Sequence, residues 1–429
     1  MHILVLGNNY VPERTGVAPF TSGLCEDLAA KGHTVTVVTA RPCYPEWKVW
    51  DDYRGFIYRK ERLNDVDVHR IWHFVPNRPS STLQRLAHDL SFTLGAFFVG
   101  LFIGKFDVIY CCCPPPTLGL AAYVLGKVRR KPYFMKLADL ASDAALATGI
   151  LKDGWILRLA RGLESFVYRN AETVICLCQG FVDKLVSRGI TAEKLRLIPD
   201  WADTERIQPI KNATAFRRAN DFRDEQFLVL HTGNMGKKQG LMNVVDAAEL
   251  SQDMHDVIWV LVGNGEERAT IAEEIKRRML KNIKLLPLQP VQTLSEMYSA
   301  ADILLLNQKA ALQDAVIPSK LLTYMAAGRA VIAAVSDRSE AARQVRNAQC
   351  GLVIPSEKPE ALVEAVLTLR ETPTRRQEYG GSGKVYAELH FTKQRVLDEY
   401  GSIFRRFTDE GESHQKSQEL RRQRIDFEG

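Results

Sequence analysis

The sequence lacks the features that mark several protein classes. Its eight cysteines form no C-x-x-C pair and are too few for a disulfide framework in 429 residues, which argues against zinc-ribbon and dithiol redox sites. We expect all eight to be small buried side chains in a reducing cytosol. No charged leader precedes the apolar run that begins at Ile3, so no secretory signal peptide is expected. These absences predict a cytoplasmic globular protein.

Charge of both signs is present but unevenly distributed. The chain carries 57 Lys and Arg against 51 Asp and Glu, a net charge of +6. Residues 1–200 hold 25 of the basic and 19 of the acidic side chains, so the surplus belongs to the first half. This surplus is too mild for a nucleic-acid-binding protein, and no zinc-finger or RNA-binding motif is present. An anion-seeking surface is therefore predicted mostly on the first half.

Short β-rich apolar runs alternate with helical stretches in both halves, a pattern typical of doubly wound parallel sheets. The first helix is predicted from Ala18 to Lys31, and Gly32 is expected to end it. We predict an α/β fold of two Rossmann-like domains, 1–200 and 201–408, followed by a disordered polar tail at 409–429. The predicted strands are 2–7, 33–39, 68–72, 108–112, 133–137, 173–177, 227–232, 257–262, 283–286, 303–306, 330–334 and 351–353.

One stretch of the first half is strongly apolar. Residues 90–104 (LSFTLGAFFVGLFIG) carry no charge, but they are fewer than the about 18 to 20 residues that span a bilayer. They predict either a buried helix leading to the strand at 108–112 or a helix whose phenylalanines enter an anionic membrane surface. The residues of this second alternative are Phe92, Phe97, Phe98 and Phe102, with Arg78, Arg85, Lys105 and the cluster from Lys127 to Lys131.

The turn after the first strand is weak evidence for a ligand. It lacks the G-x-G-x-x-G pattern of dinucleotide-binding proteins. Gly16 lies at the start of the predicted first helix, where backbone N–H groups can face an anion. Gly16 is therefore a candidate anion-binding residue, or it simply makes the turn.

Three turns of the second half have the composition of an anion site. They contain GNMGKKQGL after the strand at 227–232, VGNGE at the end of the next strand, and PSK at the start of a predicted helix. Glycines let a phosphate approach the backbone, lysines offset its charge, and a helix N-terminus favours anions. Three such turns at the carboxyl ends of strands predict a nucleotide diphosphate site. Its candidate residues are Gly233, Gly236, Lys237, Lys238, Gly265, Pro318, Ser319 and Lys320.

Five short motifs occur in a fixed order along about residues 1–405. They are GHTVTVVT from Gly32, IPDWADT from Ile198, GNMGKKQGL from Gly233, VGNGE from Val262, and PSK from Pro318 followed by YMAAG. Together they resemble those of retaining GT-B glycosyltransferases of family 4, especially enzymes of colanic acid type exopolysaccharide biosynthesis. The resemblance implies two Rossmann-like domains facing each other across a cleft. It implies an acceptor in the first domain, a GDP- or UDP-sugar donor in the second, and no metal or other cofactor.

The resemblance also shows where this sequence departs from the family. The family's paired glutamates, the second of which holds the donor ribose, correspond here to Asp314 and Thr323. The arginine usual in the first glycine-rich turn corresponds to Asn234, and the positive charge has moved to Lys237 and Lys238. Which lysine meets the phosphate is therefore open.

A candidate in the first domain follows the strand at 133–137. The family carries a histidine or aspartate there, and this sequence has Asp139 and Asp143. We expect Asp139 to orient the acceptor or to steady the positively charged sugar, unless it only caps the next helix. The leaving diphosphate is expected to be stabilised by Lys237, Lys238 and Lys320 with the N–H groups of Gly236 and Ser319, each such donor contributing about 3 to 4 kcal/mol.

These residues and the resemblance predict a peripheral enzyme at the cytoplasmic face of the inner membrane. It would move a sugar, with fucose from GDP-fucose favoured, to a lipid-linked acceptor of the undecaprenyl-diphosphate type. Because no carboxylate nucleophile is identified, same-face attack with retention is expected, the leaving phosphate taking the acceptor's proton. A non-catalytic GT-B scaffold that binds nucleotide or lipid is one alternative. A sugar-nucleotide epimerase is another, although its paired acid and base groups are not identified.

Overall fold

The computed structural model describes residues 1–14, 16–78, 81–147, 149, 152–312, 319–405 and 407. Asp314, Pro318 and the predicted tail at 409–429 lie outside these residues. The strands are β1 (His2–Leu6), β2 (Thr34–Ala40), β3 (Tyr58–Leu63), β4 (Val66–Ile71), β5 (Val108–Cys113), β6 (Tyr133–Leu137), β7 (Thr173–Cys176), β8 (Leu195–Leu197), β9 (Phe227–Asn234), β10 (Val257–Asn264), β11 (Ile283–Leu286), β12 (Ile303–Asn307), β13 (Ala330–Ala334) and β14 (Gly351–Ile354).

Helices connect most of these strands. They include α1 (Ala18–Ala30), α2 (Thr82–Phe102), α3 (Pro116–Arg129), α4 (Ala141–Ala147), α5 (Trp155–Asn170), α6 (Gln179–Ser187), α7 (Ala215–Ala219), α8 (Met242–Leu250), α9 (Arg268–Arg277), α10 (Leu294–Ala300), α11 (Lys320–Ala326), α12 (Glu340–Asn347), α13 (Pro359–Glu371) and α14 (Pro373–His390).

The strands form two sheets, which confirms the predicted α/β fold class. The first has the order β3-β4-β2-β1-β5-β6-β7-β8, and the second has the order β11-β10-β9-β12-β13-β14. The pairings around β1 and β9 are parallel, whereas β3 runs antiparallel to β4. In each sheet the strand order reverses beside the first strand of the unit, between β1 and β5 and between β9 and β12. Such reversal points are where open α/β sheets bind ligands.

All twelve predicted strands are present, and the described residues contain two further strands that were not predicted. The first, β3, has the sequence YRKERL and lies mostly exposed at the sheet edge, so it lacks the apolar alternation by which strands are recognised. The second, β8, is only three residues long. The first helix ends at Ala30, and Gly32 follows it with a φ of +85°, the left-handed conformation predicted for a residue that terminates a helix.

Contacts divide the described residues into two compact units. The first contains Met1–Lys136, Val167–Ile175 and the described residues from Gln394 on. The second contains Leu137–Phe166 and Cys176–Lys393. The predicted domain limits at 200 and 408 stay predictions.

The second sheet is covered by apolar side chains on both faces. Alternate residues of β9 enter different cores, with Leu228 and Leu230 in one and Phe227 and Val229 in the other. A parallel sheet buried on both sides needs strands that are apolar throughout, which is why the strands of this half could be predicted as continuous apolar runs. All eight cysteines are buried and free, as expected for small core side chains.

Most of the apolar stretch at 90–104 lies in the 21-residue helix α2, which ends at Phe102. The expectation of a buried helix is wrong for one face of it. Phe92 is fully buried, whereas Phe98 and Phe102 are 57% and 87% exposed. The membrane alternative is therefore corrected for Phe92, whose ring packs inside the protein. In the part of the chain described here, no helix is both long and apolar enough to cross a bilayer.

Candidate active site

The candidate site lies at the carboxyl ends of β9, β10 and β12, where the strand order of the second sheet reverses. Gly233 and Gly263 are paired in register at the carboxyl ends of β9 and β10, and each strand leads into a glycine-containing turn. A Cβ on Gly263 would overlap the carbonyl oxygen of Gly233, so only glycine lets these two turns approach. Gly265 is equally constrained, since a Cβ there would lie 2.7 Å from the backbone nitrogen of Met235. These glycines therefore let the two turns pack against each other at the carboxyl ends of β9 and β10, an edge that we call the rim.

Hydrogen bonds from neighbouring side chains hold the glycine- and lysine-rich turn in place. The amide of Asn307, buried at the end of β12, donates to the carbonyls of Gln239 (2.7 Å) and Gly240 (3.1 Å). The Gly236 N–H donates to Gln239 Oε1 at 3.1 Å, so it is engaged within the turn. Asn234 lies against Gly236 and Gly265 on the same rim.

Lys320 is a half-buried lysine at the site. It is the first residue of α11, and its Nζ lies 3.4 Å from the position that a Cβ on Gly233 would occupy. Its Nζ also lies 3.3 Å from Nε2 of the fully buried His231. Burial lowers the pKa of Lys320 to about 7. A bound anion strongly stabilises the ammonium form of such a lysine, because it takes the place of the water that burial has removed.

His231 determines where the Lys320 amine points. The carbonyl of Leu305 lies 3.0 Å from Nδ1 of His231, so Nδ1 donates there and Nε2 is left to accept a hydrogen bond from Lys320. Burial and the neighbouring Lys320 hold the pKa of His231 well below its usual range. The imidazole is therefore neutral, and it fixes the lysine without adding charge.

The two lysines of the turn have different surroundings. Lys237 is exposed and pairs with the exposed Glu266 at 3.1 Å. Lys238 is half-buried, and its Nζ contacts Asp139 Oδ2 at 3.3 Å. Both partners of this second pair belong to the second unit. Of the candidates Lys237 and Lys238, the structure brings only Lys238 together with Asp139.

Asp139 and Asp143 also differ in their surroundings. Burial raises the pKa of Asp139, and Lys238 only partly opposes that rise. Burial alone would raise the pKa of Asp143 too, but Arg188, Arg161 and Lys184 hold it below its usual range. Asp143 is therefore engaged in ion pairs with these three residues. Asp139 does not cap α4 at the usual position, because the carbonyl that accepts from Ala144 N–H is that of Leu140.

The remaining candidates lie at the edge of this arrangement or apart from it. Ser319 is exposed, and its side chain makes no capping hydrogen bond to α11. Thr323 is half-buried one turn after Lys320, on the same helix face. Gly16 belongs to the first unit, where it adopts a φ of +62° in an exposed turn before α1.

Three supporting residues were not predicted from the sequence. They are His231, Asn307 and Tyr324, whose hydroxyl accepts from the backbone N–H of Thr232 at the end of β9. The available signal was a polar residue inside or ending an apolar strand, as with His231 and Asn307. In the described ranges, no group of three or more His, Cys, Asp or Glu side chains could hold a metal ion.

Two family profiles match the chain in succession. Residues 15–201 match the glycosyl transferase 4-like domain, and residues 212–385 match the glycosyl transferases group 1. The putative colanic acid biosynthesis glycosyl transferase WcaI of Escherichia coli (strain K12) is 31% identical over 415 residues, which cover 93% of this chain and 98% of that protein.

Solved structures resemble the whole chain at lower identity. Sucrose-phosphate synthase from Thermosynechococcus elongatus aligns with a TM-score of 0.75 at 17% identity, covering 95% of this chain and 99% of that one. HepE of Anabaena in complex with UDP-glucose aligns with a TM-score of 0.71 at 16% identity, covering 94% and 99%. At such identities the likeness shows the fold. Together with the similarity to WcaI, it establishes that this chain belongs to the GT-B glycosyltransferases.

Proposed function

We propose that the enzyme transfers a sugar with retention from a GDP- or UDP-sugar to a lipid-linked saccharide of the undecaprenyl-diphosphate type. The acceptor belongs to exopolysaccharide biosynthesis of the colanic acid type, GDP-fucose is the favoured donor, and no metal is required. The observation that carries the proposal is the half-buried Lys320, whose amine lies between His231 and Gly233. The WcaI relative supports the pathway, and the HepE complex with UDP-glucose supports a nucleotide-sugar donor.

The first step of the proposed reaction is departure of the nucleoside diphosphate. Negative charge grows on the leaving phosphate as the sugar–oxygen bond breaks. The Lys320 amine is already oriented by His231 and shielded from water, and it is protonated once the diphosphate is bound, so little reorganisation is needed when the charge develops. Thr323, on the same face of α11, stands where the family holds the donor ribose, and its hydroxyl is the proposed substitute for that contact.

The second step is attack by the acceptor hydroxyl on the face that the diphosphate leaves. As the new glycosidic bond forms, the leaving phosphate accepts the proton of that hydroxyl. The reaction therefore needs no nucleophile from the protein. Asp139 steadies the positive charge that develops on the sugar or orients the acceptor. Its place beside Lys238, outside the ion-pair network that engages Asp143, supports a role in chemistry.

The two turn lysines provide a matched test of this site. We expect Lys238→Ala to lower kcat about 100-fold, because it removes a half-buried charge from beside Asp139. Lys237→Ala is expected to stay within about twofold of wild type, because an exposed ion pair contributes little. Turnover is measured with a panel of UDP-, GDP- and ADP-sugars and lipid-diphosphate saccharides, in EDTA.

The same panel separates the proposal from the two alternatives. A scaffold would form no product with any donor, and an epimerase would convert the donor sugar without an acceptor. Turnover that needs an added divalent cation contradicts the proposed metal independence. Equal losses in the two lysine variants contradict the assignment of Lys238.

A further inference from the structure

An exposed apolar surface, left uncovered by the residues that the structure describes, runs along α2 in the first unit. Large side chains recur every three or four residues on one side of this helix, which places them along one continuous stripe. Its ends are the most exposed, with Leu83 at 79% and Phe102 at 87%. The stripe consists of Leu83, Leu86, Leu90, Leu94, Phe98 and Phe102.

Helix α3 widens this surface. Thr93 of α2 and Thr117 of α3 share a hydrogen bond of 2.9 Å, and further along a Cβ on Gly100 would meet the side chain of Leu125. The two helices therefore pack side by side in the same direction. Exposed side chains of α3 recur every fourth residue, and they are Leu120, Val124 and Val128. We call the combined surface the α2–α3 face.

Basic residues flank the carboxyl end of the α2–α3 face. Lys127 and Arg130 are exposed, and Lys131 is half-buried. These three residues line a cavity of about 380 Å³, together with Tyr123 and the single acidic side chain of Glu172. Lys131 is also paired with Asp107 at 3.5 Å. The cavity thus offers three cations against one carboxylate in its wall, beside an apolar surface.

Arg129 has a different role from its basic neighbours. Its guanidinium donates to the carbonyls of Leu101 (2.8 Å) and Gly104 (2.6 Å), and it stacks on Phe106. It therefore joins the ends of the two helices and is unavailable to a head group. Arg129 is kept unchanged in the experiment below.

We propose that the α2–α3 face docks on an anionic lipid bilayer, with a lipid phosphate in the basic cavity at its end. An apolar stripe with cations at its border matches the boundary between acyl chains and anionic head groups. The first half also holds the whole positive surplus of the chain. The proposal deepens the proposed function, since a lipid-linked acceptor is reached at such a surface. Docking itself is measured without turnover.

The test is sedimentation with vesicles of phosphatidylcholine containing 30 mol% phosphatidylglycerol. Wild type is expected to bind these vesicles, to bind pure phosphatidylcholine weakly, and to be released by high salt. F98Q/F102Q is expected to reduce partitioning about tenfold or more. K127Q/R130Q/K131Q is expected to reduce it about 100-fold at low salt, since each cation near the surface contributes about fivefold.

A second apolar helix face provides the matched control. Trp155 and Leu159 of α5 are 70% and 66% exposed. They belong to the second unit, and the exposed Arg158 lies between them and interrupts the apolar surface. W155Q/L159Q is expected to bind vesicles like wild type. Each variant must also keep the wild-type melting temperature, which excludes loss of binding through unfolding.

Several results would overturn the proposal. They are wild type that does not sediment with anionic vesicles, binding indifferent to both α2–α3 variants, and binding lost only in W155Q/L159Q. A wild-type dimer that F98Q/F102Q converts to a monomer would assign the face to a second copy instead. If vesicle binding fails while sugar transfer to a lipid-diphosphate saccharide in detergent continues, docking is wrong and the proposed function stands. If the protein binds vesicles but transfers no sugar to any acceptor, docking stands and the proposed function is wrong.

Discussion

Replacing Lys320 by methionine is expected to lower kcat about 100- to 1,000-fold while the protein stays folded. Methionine keeps the length and volume of the side chain beside Gly233 but offers no charge to the leaving diphosphate. The change removes a cation whose pKa burial has already lowered, but it leaves Nε2 of His231 without its Lys320 partner, so we expect a small fall in the melting temperature and no loss of the fold. Turnover is measured with the preferred donor, and the melting temperature is measured alongside.

Lys237→Met is the matched control for this substitution. It also removes a lysine near the glycine turns, but that lysine is exposed and paired with Glu266. Its kcat should remain near that of wild type. A Lys320→Met enzyme with near wild-type kcat would show that the leaving group is stabilised elsewhere.

Replacing Asp139 by asparagine is expected to lower kcat about 100-fold or more. Asparagine keeps the shape of the side chain and can still contact Lys238, but it loses the negative charge that we assign to the developing positive sugar. If Asp139 steadies the sugar, kcat falls while KM for the acceptor is unchanged. If it orients the acceptor, KM for the acceptor rises as well.

Asp143→Asn controls for general damage to this region. Asp143 accepts hydrogen bonds from Arg161 (3.0 Å) and Arg188 (2.6 Å). Its loss should therefore lower the melting temperature and leave kcat near that of wild type. Unchanged kcat and KM in Asp139→Asn would exclude Asp139 from the chemistry. The Lys238 pair would then be purely structural.

The sequence predicted the features that are determined by residues close together in the chain. Apolar runs marked every strand of the second sheet, because both faces of that sheet are buried. Glycines at the carboxyl ends of β9 and β10 indicated this edge of the site, because only a glycine at 263 can lie so close to the carbonyl of Gly233. Gly32 ended the first helix where it was expected. These features depend on residue type and short spacing alone.

The rest of the site depends on distant packing. His231 and Lys320 are 89 residues apart, and nothing in either sequence neighbourhood shows that α11 places an amine beside a histidine of β9. Asp139 and Lys238 are 99 residues apart, so composition could not separate Lys238 from Lys237. For the same reason, an uncharged stretch predicted α2 without showing that Phe92 is buried and Phe98 exposed.

Proton uptake on nucleotide binding tests the central claim most directly. With a pKa of about 7, Lys320 is about nine-tenths neutral at pH 8 in the free protein. A diphosphate that contacts it favours the ammonium, so binding must draw a proton from solution, and affinity should fall up to about tenfold per pH unit above 7. Calorimetry with UDP and GDP at pH 8, in two buffers of different ionisation enthalpy, measures that uptake.

We predict that one of the two nucleotides binds wild type with uptake of nearly one proton. Lys320→Met should bind the same nucleotide more weakly and without that uptake. Failure of both nucleotides to bind would contradict the account. Tight binding with equal proton uptake in wild type and Lys320→Met would contradict it equally, because Lys320 would then not meet the diphosphate.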